Sequence, residues 1–68
     1  MSVARITEIK ASSTVSFEDA IRVGLARAAK TLENVKSAWI SDQEVFVDEK
    51  GQISEYRVLM KVTFIVSD

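Results

Sequence analysis

Residues 36–66 read KSAWISDQEVFVDEKGQISEYRVLMKVTFIV, and the fold turns on this stretch. In its second half Tyr56, Val58, Met60, Val62, Phe64 and Val66 recur at every other position, the period of a strand with one apolar face. Arg57, Lys61 and Thr63 share the opposite face with Leu59 and Ile65. The first half, Lys36 to Val47, is another extended run, carrying Trp39, Ile40, Val45, Phe46 and Val47. Between the two runs Asp48, Glu49, Lys50, Gly51 and Gln52 form a polar turn cluster, with Gly51 free to adopt a positive φ. The stretch is therefore a long hairpin. At about 3.3 Å per residue each run spans roughly 35–45 Å.

Upstream the spacing changes. From Phe17 the apolar positions Phe17, Ala20, Ile21, Gly24, Leu25, Ala28, Leu32 and Val35 follow the three-four rhythm of one helix face, with Arg22, Arg27, Lys30 and Glu33 mostly elsewhere. Ser16 followed by Asp19 predicts a capping box, in which hydroxyl and carboxylate each satisfy an unpaired backbone donor. Glu18 and Asp19 also suit the positive end of the helix dipole. Gly24 costs about 1 kcal/mol relative to Ala inside a helix, so it is expected on the packed face where a strand approaches closely, a tolerated accident being the other reading. Val3 to Ala11, with a less regular alternation, reads as a first strand. The helix of about 17 residues reaches only about 25 Å, so the strands must curl around it or bury their overhang in neighbouring subunits.

The order strand, helix, strand, strand constrains the topology. A right-handed crossover sets the first two strands parallel, and the hairpin makes the third antiparallel to the second. Slotting the third strand between the others gives order 1-3-2 with every neighbour antiparallel. The fold class is therefore α+β: βαββ, a three-stranded antiparallel sheet wrapped around one helix. The second strand is left as an apolar edge, which proteins cover or pair, so an intersubunit contact is its natural cover.

Composition narrows the function. The chain has 68 residues, enough for a single domain over 1–68, and no Cys to staple it. A domain this small buries only about 60% of its unfolded surface, so oligomerisation is the remaining common route to stability. The absence of Cys and His removes thiolate chemistry and the commonest general base and metal ligand, and the chain is read as no enzyme. A net charge of −1 with mixed signs gives no reason to expect nucleic acid or an anionic membrane as partner. Met1–Lys10 has no apolar core of signal-peptide length and nothing approaches a transmembrane span, so a cytoplasmic location is expected.

Two segments carry a resemblance. Gly24-Leu25-Ala26-Arg27-Ala28-Ala29-Lys30-Thr31 on the helix and Tyr56-Arg57-Val58-Leu59-Met60-Lys61-Val62-Thr63-Phe64 on the last strand, supported by Glu8-Ile9-Lys10-Ala11-Ser12-Ser13, resemble the dodecin family from Val3 to Val66. Ala11 stands where many members have Gly. The resemblance implies small βαββ subunits assembled into hollow homododecamers. It also implies a binding and storage role without catalysis, the ligand being a flavin (riboflavin, FMN or FAD) held at subunit interfaces. In flavin-binding dodecins a Trp early in strand two stacks on the isoalloxazine ring, and a Gln after the aromatic residue of strand three bonds its edge. Aligned through Lys30-Thr31 and Asp42-Gln43, the stacking position falls on Ser37 and the Gln position on Arg57. A weakened flavin site is the expectation.

Trp39 has two readings. It lies two residues beyond Ser37, on the same strand face and about 6.6 Å away, where an indole could stack on a flat ligand. It could instead plug a subunit contact. Arg57 could grip a phosphate or carboxylate, or pair across subunits with Glu44 or Glu55. Asp42, Glu44, Asp48 and Glu49 could offer oxygen ligands to calcium, as implied for dodecins lacking the stacking Trp. Asp48 and Glu49 are the metal candidates, and a solvated acidic turn is the other reading of that cluster. A ligand-free scaffold with the same assembly stands as the alternative function.

Overall fold

The computed structural model describes residues 2–67. Strand β1 covers Val3–Ser13, helix α1 Phe17–Thr31, strand β2 Val35–Val47 and strand β3 Ile53–Ser67. The sheet has order β1-β3-β2, both pairings antiparallel. The expected order and hairpin are thus observed. β1 runs two residues past its expected end, to Ser13, and α1 is 15 residues rather than about 17.

Helix α1 starts at Ser16 because its hydroxyl accepts the Asp19 backbone N–H at 2.9 Å. The second half of the expected capping box is replaced: the Asp19 carboxylate accepts the Ser13 hydroxyl at 2.6 Å, tying the helix start to the end of β1. At the other end the Leu32 N–H bonds the Ala28 carbonyl at 2.8 Å. Asn34 then takes φ 58°, a left-handed conformation that Asn tolerates, and turns the chain into β2.

The core is the meeting of two small faces. Val58, Met60 and Val62 of β3 are buried to within 1% exposure against Ala20, with Ile9, Phe17, Ile21, Leu25 and Ile40 packed around them. Gly24 is where sheet and helix come closest: a Cβ there would lie 2.6 Å from Met60 Cε and 2.9 Å from Ala11 Cβ. Phe17 meets Tyr56 edge to face, centroids 5.2 Å apart. The expected apolar face of β3 is real, yet only its centre closes. Phe64 is half-buried and Val66 is 47% exposed, because the helix does not reach that far.

The result is long and thin, 53 × 19 × 13 Å. Its radius of gyration of 14.0 Å exceeds the roughly 11 Å of a compact chain this size. Its accessible surface of 5085 Å² exceeds the about 4,300 Å² typical of a monomer of that mass. Among the described residues no helix is long and apolar enough to cross a membrane.

Candidate functional site

The sheet face turned away from α1 is built by β3 and its two edges. Residues opposite one another in a ladder share a face, so Arg57, Leu59, Lys61 and Thr63 line up with Ser12, Lys10, Glu8 and Ile6 of β1. On the β2 side the same four face Glu44, Asp42, Trp39 and Ser37. Strict alternation from Trp39 would send Asp42 to the helix side. A β-bulge between Ile40 and Asp42 turns it back, and the Ser41 hydroxyl donates to the Leu59 carbonyl at 3.0 Å beside that step.

A shallow dish of about 340 Å³ opens on this face over Leu59, ringed by Lys10, Asp42, Glu44 and Arg57. Gln43 and Val58 complete its lining, although the ladder pairs them with each other on the helix-facing side. Arg57 is held in place rather than free. Its Nε donates to Glu55 Oε2, and its guanidinium carbon lies 4.1 Å from the Phe46 ring centroid. The ion pair expected across subunits is thus already made within the chain, to Glu55.

Trp39 stands apart from the dish. It is 74% exposed, the most exposed large apolar residue of the described chain, with Glu8, Lys61 and Ser37 as its neighbours on that face. Ser37 lies opposite Thr63 and Glu44 opposite Arg57, so Ser37 and Arg57 are six β3 residues apart. That is about 20 Å along the strand. Trp39, opposite Lys61, is about 13 Å from the Arg57 level. Within one chain, then, the predicted site divides: Asp42, Gln43 and Arg57 gather at the dish, while Ser37 and Trp39 lie nearer the helix C-terminal end.

Asp48 and Glu49 sit in the turn. Asp48 Oδ1 accepts the backbone N–H groups of Lys50 at 2.9 Å and Gln52 at 3.0 Å, while Gly51 takes φ 79°. The carboxylate therefore holds the turn closed. Among the described residues no three Asp or Glu side chains come together as a cation-holding group. Lys10, Phe46 and Leu59 belong to the site's surroundings but were not singled out as site residues, because only the pairing of three strands brings them there.

Comparison with known proteins is consistent from sequence to structure. Residues 3–67 match the family model described as dodecin. A calcium dodecin of Mycobacterium tuberculosis is 31% identical over 64 residues, covering 94% of this chain and 89% of the relative. Among solved structures, the dodecin from Streptomyces davaonensis shares 31% identity at a TM-score of 0.91, covering 98% of this chain and 97% of the other. The calcium-chelating calcium dodecin of M. tuberculosis superposes at 0.82 with 28% identity, covering 94% and 90%.

Proposed function

The chain belongs to the dodecin family, and on that premise we propose that it forms a non-enzymatic homododecameric shell that binds a flat small molecule, a flavin or a relative of one, where subunits meet. The observation that carries this is Trp39, an aromatic plane left 74% exposed on the sheet face opposite the helix. Within one chain the ring is left largely uncovered. A flat ligand laid against it would need a second wall, and with Arg57 about 13 Å away along the sheet a neighbouring subunit is the natural source of one. The extended shape supports assembly in its own right. The surface in excess of a compact monomer, roughly 800 Å², equals what one partner contributes to an interface of standard size, about 800 Å².

The site is a weak one for flavin. Ser37 has no ring to stack, and Arg57 offers donors where Gln offers a donor and an acceptor, with its fork already engaged by Glu55 and Phe46. Light scattering at micromolar concentration should give about 91 kDa, twelve times 7.6 kDa; a stable monomer refutes the shell. In a flavin fluorescence-quenching titration the Ser37→Trp, Arg57→Gln double variant should bind at least about tenfold more tightly than the parent, roughly 1.4 kcal/mol. Tight binding by the unaltered chain would show that these two positions do not disable the site, and Trp39→Ala should then abolish it.

A second reading, calcium binding, is favoured by the calcium dodecin relative and by Asp42 and Glu44 facing the dish. Several subunits would have to pool such carboxylates to complete a shell of six to eight oxygens. Titration calorimetry of the assembled protein with calcium chloride separates it from the flavin reading.

A further inference from the structure

We propose that the distal end of the β2–β3 hairpin of one copy seats in the groove between α1 and β1 of a neighbouring copy. This rests on the assembly proposed above and names the two surfaces that make it. Beyond Tyr56 the hairpin keeps apolar residues largely open: Ile53 is 51% exposed and Val47 59%, and Phe46, stacked on one side by Arg57, is still 37% exposed.

The groove is the matching vacancy. About 560 Å³ lies between the helix and the first strand, floored by the small residues Ala11, Gly24 and Ala28 and walled by Ile9, Val23 and Leu32. Small floor residues let a neighbouring backbone come close. One side of the groove is the edge of β1, since among the described residues β1 pairs only with β3 and its other flank presents backbone donors and acceptors outside the sheet. The β2 edge of the hairpin is free in the same way. An edge meeting an edge satisfies both.

Charge selects the same match. Lys10 and Arg27 line the groove, and among the described residues no carboxylate does. The hairpin turn carries Asp48 and Glu49 against a single Lys50. Because hairpin and groove are different surfaces, each copy gives one and receives one. Such head-to-tail contacts must close by rotation into a ring or continue as a filament. A closed shell needs the ring.

The chain contains no Cys, so introduced thiols report contacts cleanly. Val23→Cys in the groove and Ile53→Cys in the hairpin alter residues that are each 51% exposed. In the assembled protein a short bismaleimide should link the double variant into a ladder of dimers, trimers and beyond on a denaturing gel, while each single variant stays monomeric. A double variant that keeps the mass of the assembly by light scattering yet gives no ladder, or single variants that dimerise as readily, overturns the seating and leaves the shell standing. A monomeric mass for the unaltered protein refutes the shell itself. As an independent arm, Arg27→Glu should keep the helical circular dichroism and raise the dilution midpoint of disassembly at least tenfold, with Glu49→Lys in the same chain restoring it. No shift, or no restoration, overturns the charge pairing.

Discussion

The middle of β3 and the far end of the hairpin are written in the same alphabet and have opposite fates. Val58, Met60 and Val62 alternate with charged or large residues and are sealed under the helix. Val45, Phe46, Val47 and Ile53 are as apolar, and they stay 37–59% exposed. Phe46, Val47 and Ile53 lie on the sheet face turned away from the helix, and Val45 lies towards the hairpin end. A helix of 15 residues covers about 22 Å of a molecule 53 Å long. Apolar character in this chain therefore marks two kinds of core, one that a subunit closes for itself and one that needs a neighbour.

The comparison can be broken hardest at its buried end. Met60 is fully buried and touches the Gly24 contact, so Met60→Ala should remove about 2–5 kcal/mol, enough to unfold a chain of this size. Thermal denaturation at fixed protein concentration is the check, and an unchanged midpoint would mean the central core is not where stability resides. Phe64→Ala should cost less than Met60→Ala, since Phe64 is only half-buried within the subunit.

Gly24→Ala sharpens the same end. Ala gains about 1 kcal/mol of helix propensity, but its methyl would sit 2.9 Å from Ala11 Cβ, and overpacking typically costs about 1–3 kcal/mol. The Met60 methyl can swing aside, whereas Ala11 moves only with its strand. A net loss of about 1 kcal/mol follows, or roughly 4–8 °C in midpoint. A gain in stability would show that helix and sheet are not in close contact at that point.

The hairpin end should behave in the reverse manner. Val47→Ser with Ile53→Ser removes apolar surface that the subunit never buries, so circular dichroism of the folded chain should barely change. Assembly, followed by light scattering on dilution, should weaken. If the pair instead melts the chain and spares the assembly, the two cores have been assigned the wrong way round.

Much of this was legible in the residues. Alternation located the hairpin, Ser16 located the helix start, and connection rules gave the strand order with the most apolar strand in the centre. What alternation cannot carry is the rung on which each residue sits. Counting by twos puts Asp42 opposite to Trp39 in facing, and the bulge at Ser41 reverses that. Ser37 and Arg57 belong together by family resemblance, yet the ladder sets them about 20 Å apart in one subunit. Asp19 was expected to bond back to its own helix and found the Ser13 hydroxyl instead, a competitor that only the folded end of β1 brings within reach.

The ladder also sets an order of events in folding. β2 and β3 meet across a five-residue turn, so their pairing closes a short loop, while Val3 of β1 pairs with Ser67 at the opposite end of the chain. Closing the longer loop costs more entropy, and non-local strand pairing is correspondingly slow. The hairpin should gain protection in pulse-labelled hydrogen exchange before β1 does, and simultaneous protection of all three strands would contradict that order. Until β1 docks, Met60 and its neighbours have a side open to water. The first strand in the sequence is the last to be built in.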